Sequence, residues 1–380
     1  MKSRILLEKM KEKFYWLDSL RFFAAFVVVF SHTCIQFQTN YAGLDTEYHS
    51  SIYAILYLLF RCGSEAVLVF FVLSGFLVGG KTIEKLQSGT FSGTQYAIDR
   101  TVRIVLPLVP ALILSYIANT LCGECFYWYE YIGNFFSLQN YCVRPVNGAL
   151  WSLSSEVWFY IFMFGISLFV AKNEVSTLCL FRNKISFNRK IMGGLIVVIS
   201  AFVFLGFGYE GLLLWFIGTF AYCLKDLVVT KKRTIGVLFL LPIAEFYYKQ
   251  TWWKGGLLIP SLPTPSKSFI HIVYAILIAY ILCWIIQKVP RRKYLLKMDV
   301  LGTKMAKFSY TLYLCHYPFL ILIKRYVYPI ETNKIDLEAI AVFLIISVSV
   351  TVLCYPLYLI SEQHTYKIKT YVKKWIKYRV

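Results

Sequence analysis

A chain of 380 residues, 58% hydrophobic, 18% aromatic and only 16% charged, is not a water-soluble globule, because a folded surface of that size must present charge to water. Lipid is the solvent that fits, and each helical crossing takes roughly 20 apolar residues. The 40 Lys+Arg against 20 Asp+Glu would suit nucleic acid, but basic residues also hold cytoplasmic loops on their side of a membrane, and the placement of the charges favours that explanation.

In chain order, apolar runs between polar breaks predict an all-α, polytopic membrane protein of about ten spans, at 15–37, 51–80, 104–122, 149–170, 191–207, 211–228, 234–248, 268–289, 308–328 and 337–360. The first run is not read as a cleavable signal. It carries Asp18, Arg21 and His32 and lacks a small-residue cleavage site. With the N-terminus in the cytoplasm, the inner segments hold 31 Lys+Arg and the outer loops hold five, Arg144, Lys249, Lys254, Lys267 and Lys334. That asymmetry predicts a multi-pass protein of the cytoplasmic membrane with both termini inside. The expected layout is a cytoplasmic segment 1–14, a membrane domain 15–360 and a basic cytoplasmic tail 361–380 lying on anionic lipid. It leaves no role for nucleic acid. No repeat stands out, and no loop is long enough for a soluble catalytic domain. The longest outer loop, 123–148, offers Cys125 and Cys142, with Cys122 at its edge, for one disulfide.

Ionisable groups inside spans cost several kcal/mol unless they meet a partner or water, so each is a candidate site residue. Arg21 and His32 are eleven positions apart, which places them about 20° from eclipsed and about 16 Å apart along one helix. Such a stripe suits an elongated anionic ligand held at one end and reacting at the other. The plainer alternative is an interfacial Arg21 and a His32 that only bonds a neighbouring helix. Ser152, Glu156 and Phe159 share a face of the fourth span, with Glu156 about 10 Å below the outer surface by helical rise. There it approaches the depth of His32, and a carboxylate beside an imidazole tunes a general base. A structural helix-to-helix bond is the rival. Arg100 and Arg103, at i and i+3, present two guanidinium forks suited to phosphate, or form an ordinary positive-inside flank. Pro107 bends the helix just beyond them.

On the ninth span Ser309, Tyr313 and His316 form one stripe, and Pro318 frees the Leu314 carbonyl. Counting from 308 puts His316 about 12 Å from the inner face, level with Arg21; core packing is its competing role. On the second span Arg61 and Glu65 are spaced to pair, while Ser74, Gly75 and Gly79 suit close helix contact.

Together these segments resemble the acyltransferase-3 family of membrane acyltransferases. The resemblance rests on five motifs in order: Leu17-Asp18-Ser19-Leu20-Arg21 with His32; Phe70-Phe71 through Ser74-Gly75-Phe76-Leu77; Arg100-x-x-Arg103-Ile104 with Pro107; Trp151-Ser152-Leu153-Ser154 with Glu156, Phe159 and Tyr160; and Ser309-Tyr310 through Tyr313, His316 and Pro318. Leu108 departs from the family's frequent Tyr, and the chain ends soon after the tenth span without the esterase-like domain of some relatives.

The resemblance implies transfer of an acyl group, most often acetyl, from acyl-CoA to a hydroxyl of an extracytoplasmic glycan or lipid-linked saccharide. Acetyl-CoA is then a donor substrate, and no resident cofactor or metal is expected. The expected roles are His32 and Glu156 in catalysis and Arg21, Arg100 and Arg103 on the donor. Asp18, Ser74, Ser152, Tyr313 and His316 would support them. A transporter or flippase of a lipid-linked saccharide is the alternative, with the carboxylate and imidazole as a proton relay. The absence of matching broken helices counts against it.

Overall fold

The computed structural model describes residues 15–171, 188–226, 229–252, 267–288 and 296–379. The segment 1–14, Cys179, Lys254 and much of the basic stretches around 180 and 291 lie outside the described residues. The described residues form helices α1 (Tyr15–Phe37), α2 (Ser51–Phe60), α3 (Gly63–Ser74), α4 (Lys81–Gln87), α5 (Gly93–Cys122), α6 (Trp128–Phe135) and α7 (Trp151–Val170). There follow α8 (Arg189–Phe207), α9 (Glu210–Cys223), α10 (Lys231–Trp252), α11 (Lys267–Lys288), α12 (Leu296–Tyr326), α13 (Leu337–Ile360) and α14 (Thr365–Arg379). Among the described residues there is no strand, only isolated bridges such as Gln38 with Thr332.

Seven described helical stretches are long and apolar enough to cross a bilayer: Trp16–Phe37, Gly63–Gln87, Gly93–Cys122, Trp151–Val170, Arg189–Gly206, Ser268–Gln287 and Leu337–Ile376. The protein is therefore a multi-pass membrane protein. Three further helices stand where spans were expected. The α9 helix is apolar but has only 14 residues, and α10 carries Pro242. In α12 the polar stripe from Ser309 to Tyr317 dilutes the apolar run.

The core is built on α1. Ala25, Val28 and Val29 are fully buried there, and α12, α13 and α3 pack along it. The expected single span 51–80 is broken. Arg61, between α2 and α3, donates through Nη2 to the carbonyls of Gln38 (3.2 Å) and Thr39 (3.1 Å). Beyond α3 the chain forms a π-helical turn over Gly75–Gly80 before α4. This turn exists because α9 comes so close. A Cβ on Gly75 would lie 1.8 Å from the Trp215 carbonyl oxygen, and one on Gly218 would lie 1.9 Å from that of Val72. Glycine at both positions lets the two backbones touch.

The helix α5 begins eleven residues before its predicted span. Ser92 caps it, its Oγ accepting from the Gln95 N–H, so Arg100 and Arg103 lie within the helix. Gly123, at φ +79°, ends it in the left-handed conformation. The segment between α5 and α7 is pinned by buried amides. Asn119 Nδ2 donates to the Val146 carbonyl (2.9 Å), and Asn134 Nδ2 donates to those of Glu130 and Arg144 (each 2.8 Å). Asn147 Nδ2 donates to the Leu314 carbonyl at 2.8 Å, the group that Pro318 deprives of its helical partner. The expected disulfide is not formed. Cys122, Cys125 and Cys142 are free thiols, with the Cys122 thiol turned to the Ile321 carbonyl and that of Cys142 to Leu138.

The tail expected after residue 360 is part of the fold. Glu362 is buried and accepts from the Thr311 N–H (3.0 Å) and hydroxyl (2.8 Å) on α12, and α14 lies across α5.

Candidate functional site

Between α1, α3, α5, α7 and α12 lies a cavity of about 230 Å³. Arg21 enters it from α1, Ser74 from α3, Arg100 and Arg103 from α5, Ser152 and Glu156 from α7, and Tyr313 from α12. Seven of the ten residues singled out in the sequence thus meet in one chamber. Asp18 stands one turn from Arg21, its carboxylate 3.8 Å from the guanidinium. Each α5 arginine faces an aromatic ring: Arg100 that of Tyr160 at 5.4 Å, and Arg103 that of Tyr310 at 5.6 Å. Planar cations held over rings keep their N–H edges turned outward, in the arrangement that recognises phosphate.

Glu156 is held by a directed chain of bonds. The Trp215 indole N–H, donor only, reaches Ser74 Oγ at 3.3 Å, and Ser74 Oγ lies 3.0 Å from the Tyr160 hydroxyl. Tyr160 donates onward to the Glu156 carboxylate. Each hydroxyl passes its proton one step along, so the carboxylate ends the chain as the acceptor.

The two histidines sit together, at the far end of the site. His32 Nδ1 lies 2.8 Å from His316 Nε2, with the rings stacked at a centroid separation of 5.1 Å. His316 is fully buried, whereas His32 is partly exposed. His316 Nδ1 lies 3.1 Å from the Leu312 carbonyl oxygen. A carbonyl only accepts, so the proton of neutral His316 is on Nδ1 and its Nε2 offers a lone pair. His32 must then donate from Nδ1, which leaves the lone pair on His32 Nε2. The Tyr317 ring meets His32 edge-on at 5.5 Å, and its hydroxyl accepts from Gln36 Nε2 at 3.1 Å. Tyr313 joins this pair to the chamber. Its hydroxyl is 2.6 Å from Ser152 Oγ, and its ring centroid is 6.0 Å from that of His316.

Two placements differ from the sequence reading. Glu156 was expected beside His32, and His316 at the level of Arg21; the structure exchanges them. Among the described residues Glu156 and His32 share no hydrogen bond, and the partner of His32 is His316. Both depths had been counted from a helix start assumed to lie at a membrane surface. Residues Val146, Asn147, Ala149 and Leu150 are already packed inside the protein ahead of α7, and Glu156 lines the same chamber as Arg21. The α12 helix starts at Leu296, twelve residues before the assumed origin, so His316 lies further along the bundle than its count implied. Sequence reasoning also missed Glu362, whose charge acts on Arg103, because it stands in a stretch that reads as a basic tail. Its one signal is a lone carboxylate directly after an apolar span.

The acyltransferase-3 family model, described as an acyltransferase domain, matches residues 14–359. No curated protein and no solved structure matches the chain.

Proposed function

The chain belongs to the acyltransferase-3 family and is a membrane acyltransferase, and on that premise we propose that it moves an acyl group, acetyl foremost, from acyl-CoA to a hydroxyl of an extracytoplasmic or lipid-linked glycan. We place the protein in the cytoplasmic membrane with ten crossings and both termini inside, on the strength of the charge asymmetry. The donor then enters from the arginine end and the acceptor from the side of His32.

The observation that carries this reading is the His32–His316 pair with its single consistent proton arrangement. The free Nε2 of His32 takes the proton of the acceptor hydroxyl as the oxygen attacks the thioester carbon. The carbon–oxygen bond forms and the carbon–sulfur bond breaks. The proton on His32 passes to the departing thiolate. His316 holds the attacking tautomer and shares the positive charge while it lasts. In this scheme His316 has the orienting role first expected of Glu156. Glu156, fixed by Tyr160, instead balances the cationic chamber in which Arg21, Arg100 and Arg103 hold the donor.

The test is transfer of labelled acetyl from acetyl-CoA to a glycan acceptor by the purified protein in lipid nanodiscs. His32→Ala should lower kcat by about 10²–10⁴-fold, the usual contribution of a general base, with thermal unfolding unchanged. Normal transfer by this variant would refute the assignment.

A further inference from the structure

The main chamber adjoins a second cavity of about 110 Å³, and Leu77, Val78, Lys81 and Arg100 line both. The smaller cavity adds Lys85 from α4 and Asp99 from α5, with Thr90 and Ser92 from the turn between them. Three of its four charged residues are cations. The fourth, Asp99, is already engaged: its Oδ1 lies 3.2 Å from Lys373 Nζ and 3.6 Å from Lys369 Nζ, both on α14. Two ammonium groups on one carboxylate cancel its field where it would repel an anion. What remains is a small cationic recess sharing a wall with the arginine chamber. Its volume, half that of the chamber, suits one compact, highly charged group rather than a whole nucleotide.

We propose that this recess binds the phosphomonoester of the donor, and that Lys369 and Lys373 keep it attractive by masking Asp99. This rests on the acyl-CoA reading given above. Coenzyme A carries one phosphomonoester, on its ribose, at the end remote from the thiol. That group is nearly dianionic at neutral pH, whereas each pyrophosphate phosphorus bears a single charge. With the thioester arm in the chamber and the pyrophosphate at the shared wall of Lys81 and Arg100, the monoester falls in the recess. The α14 helix lies beyond the residues 14–359 matched by the family model.

The experiment compares acetyl-CoA with acetyl-dephospho-CoA, which lacks only the monoester, using the full chain in nanodiscs. The wild-type KM should be about tenfold lower for acetyl-CoA, the equivalent of roughly 1.4 kcal/mol. Lys85→Gln should reduce that ratio to within about twofold. Lys369→Gln/Lys373→Gln should raise the KM for acetyl-CoA by about tenfold, since the bared Asp99 repels the phosphate, and adding Asp99→Asn should restore it. That rescue also separates masking from loss of fold, because a misfolded double variant would not recover when a third residue changed. Equal KM values for the two donors in the wild type overturn the proposal, as does a Lys85→Gln enzyme that still discriminates. Failure of Asp99→Asn to rescue overturns the masking. No transfer from either donor by the wild type would overturn the acyl-CoA reading itself and the recess with it.

Discussion

His32 and His316 are 284 positions apart in sequence and meet at 2.8 Å, Nδ1 to Nε2, and the Leu312 carbonyl dictates which of them donates. A single backbone acceptor thus sets which nitrogen of His32 keeps its lone pair. The pair is testable because amide side chains can imitate one nitrogen of the ring.

His316→Leu should lower kcat by about 10²-fold, within the range that general-base catalysis contributes, with the donor KM little changed. His316→Gln places a carbonyl oxygen where Nε2 stood and can still accept from His32 Nδ1, so it should recover at least about tenfold of that loss. The pH profile of kcat should shift in His316→Leu and return toward the wild type in His316→Gln. If both variants behave alike, the orienting bond is not what matters.

Glu362 closes the end of the bundle against α12. Glu362→Ala leaves the Thr311 N–H and hydroxyl without their acceptor, a loss of about 1–3 kcal/mol for buried groups. Thermal unfolding in detergent should fall accordingly, with Glu362→Gln intermediate. Deleting everything after Ile360 should destabilise at least as much. A full-length melting temperature in the truncated chain would show that the tail is only a lipid anchor.

Gly75 and Gly218 face each other's helices at distances no Cβ tolerates. Gly75→Ala or Gly218→Ala should cost about 1–3 kcal/mol or more through overpacking, seen as a lower melting temperature or a loss of folded protein in membranes. Gly194→Ala, where nothing lies within 4 Å, should stay near neutral or gain slightly, since alanine favours the helix.

The Arg144 guanidinium binds the buried Glu130 carboxylate, Nε to Oε1, at 2.7 Å. This bond is the main reason the carboxyl sits below its usual 4.5, helped by the Tyr127 N–H. A folded-state value below the unfolded one stabilises above the unfolded value and loses that stabilisation as pH falls through the folded one. Amide protection factors in 126–146, corrected for the intrinsic pH dependence of exchange, should therefore be level from neutral pH down to about 4.5 and fall below it. Glu130→Gln should exchange faster at neutral pH and lose that acid-dependent step. An acid step that survives in Glu130→Gln would assign it to another group.

Much of this chamber is legible in the sequence, for a specific reason. Arg21, Arg100, Arg103 and Glu156 are charged residues in or beside apolar helices, and lipid leaves such groups few places to go except toward one another. The close contact at Gly75 follows in the same way from small residues in a bulky run. The pairing of the histidines does not follow. Axial position along a helix is legible only relative to that helix's own start, and α12 starts at Leu296, twelve residues before its predicted span, while buried residues run ahead of α7. The π-helical turn is hidden as well, since it answers to Trp215 and Thr219 on a helix more than 130 residues away. Glu362 is hidden by its company, for a basic amphipathic tail reads as an interfacial helix until its neighbour is known to plug α12.

The packing of α1 against α12 has a consequence for synthesis. The α1 helix leaves the ribosome carrying one half of the histidine pair, and the other half emerges 284 residues later. Until then the nascent chain can hold neither the paired imidazoles nor the Tyr313 wall between them and the chamber. A product truncated at any point before α12 lacks the pair altogether and should, on the proposed chemistry, transfer no acyl group.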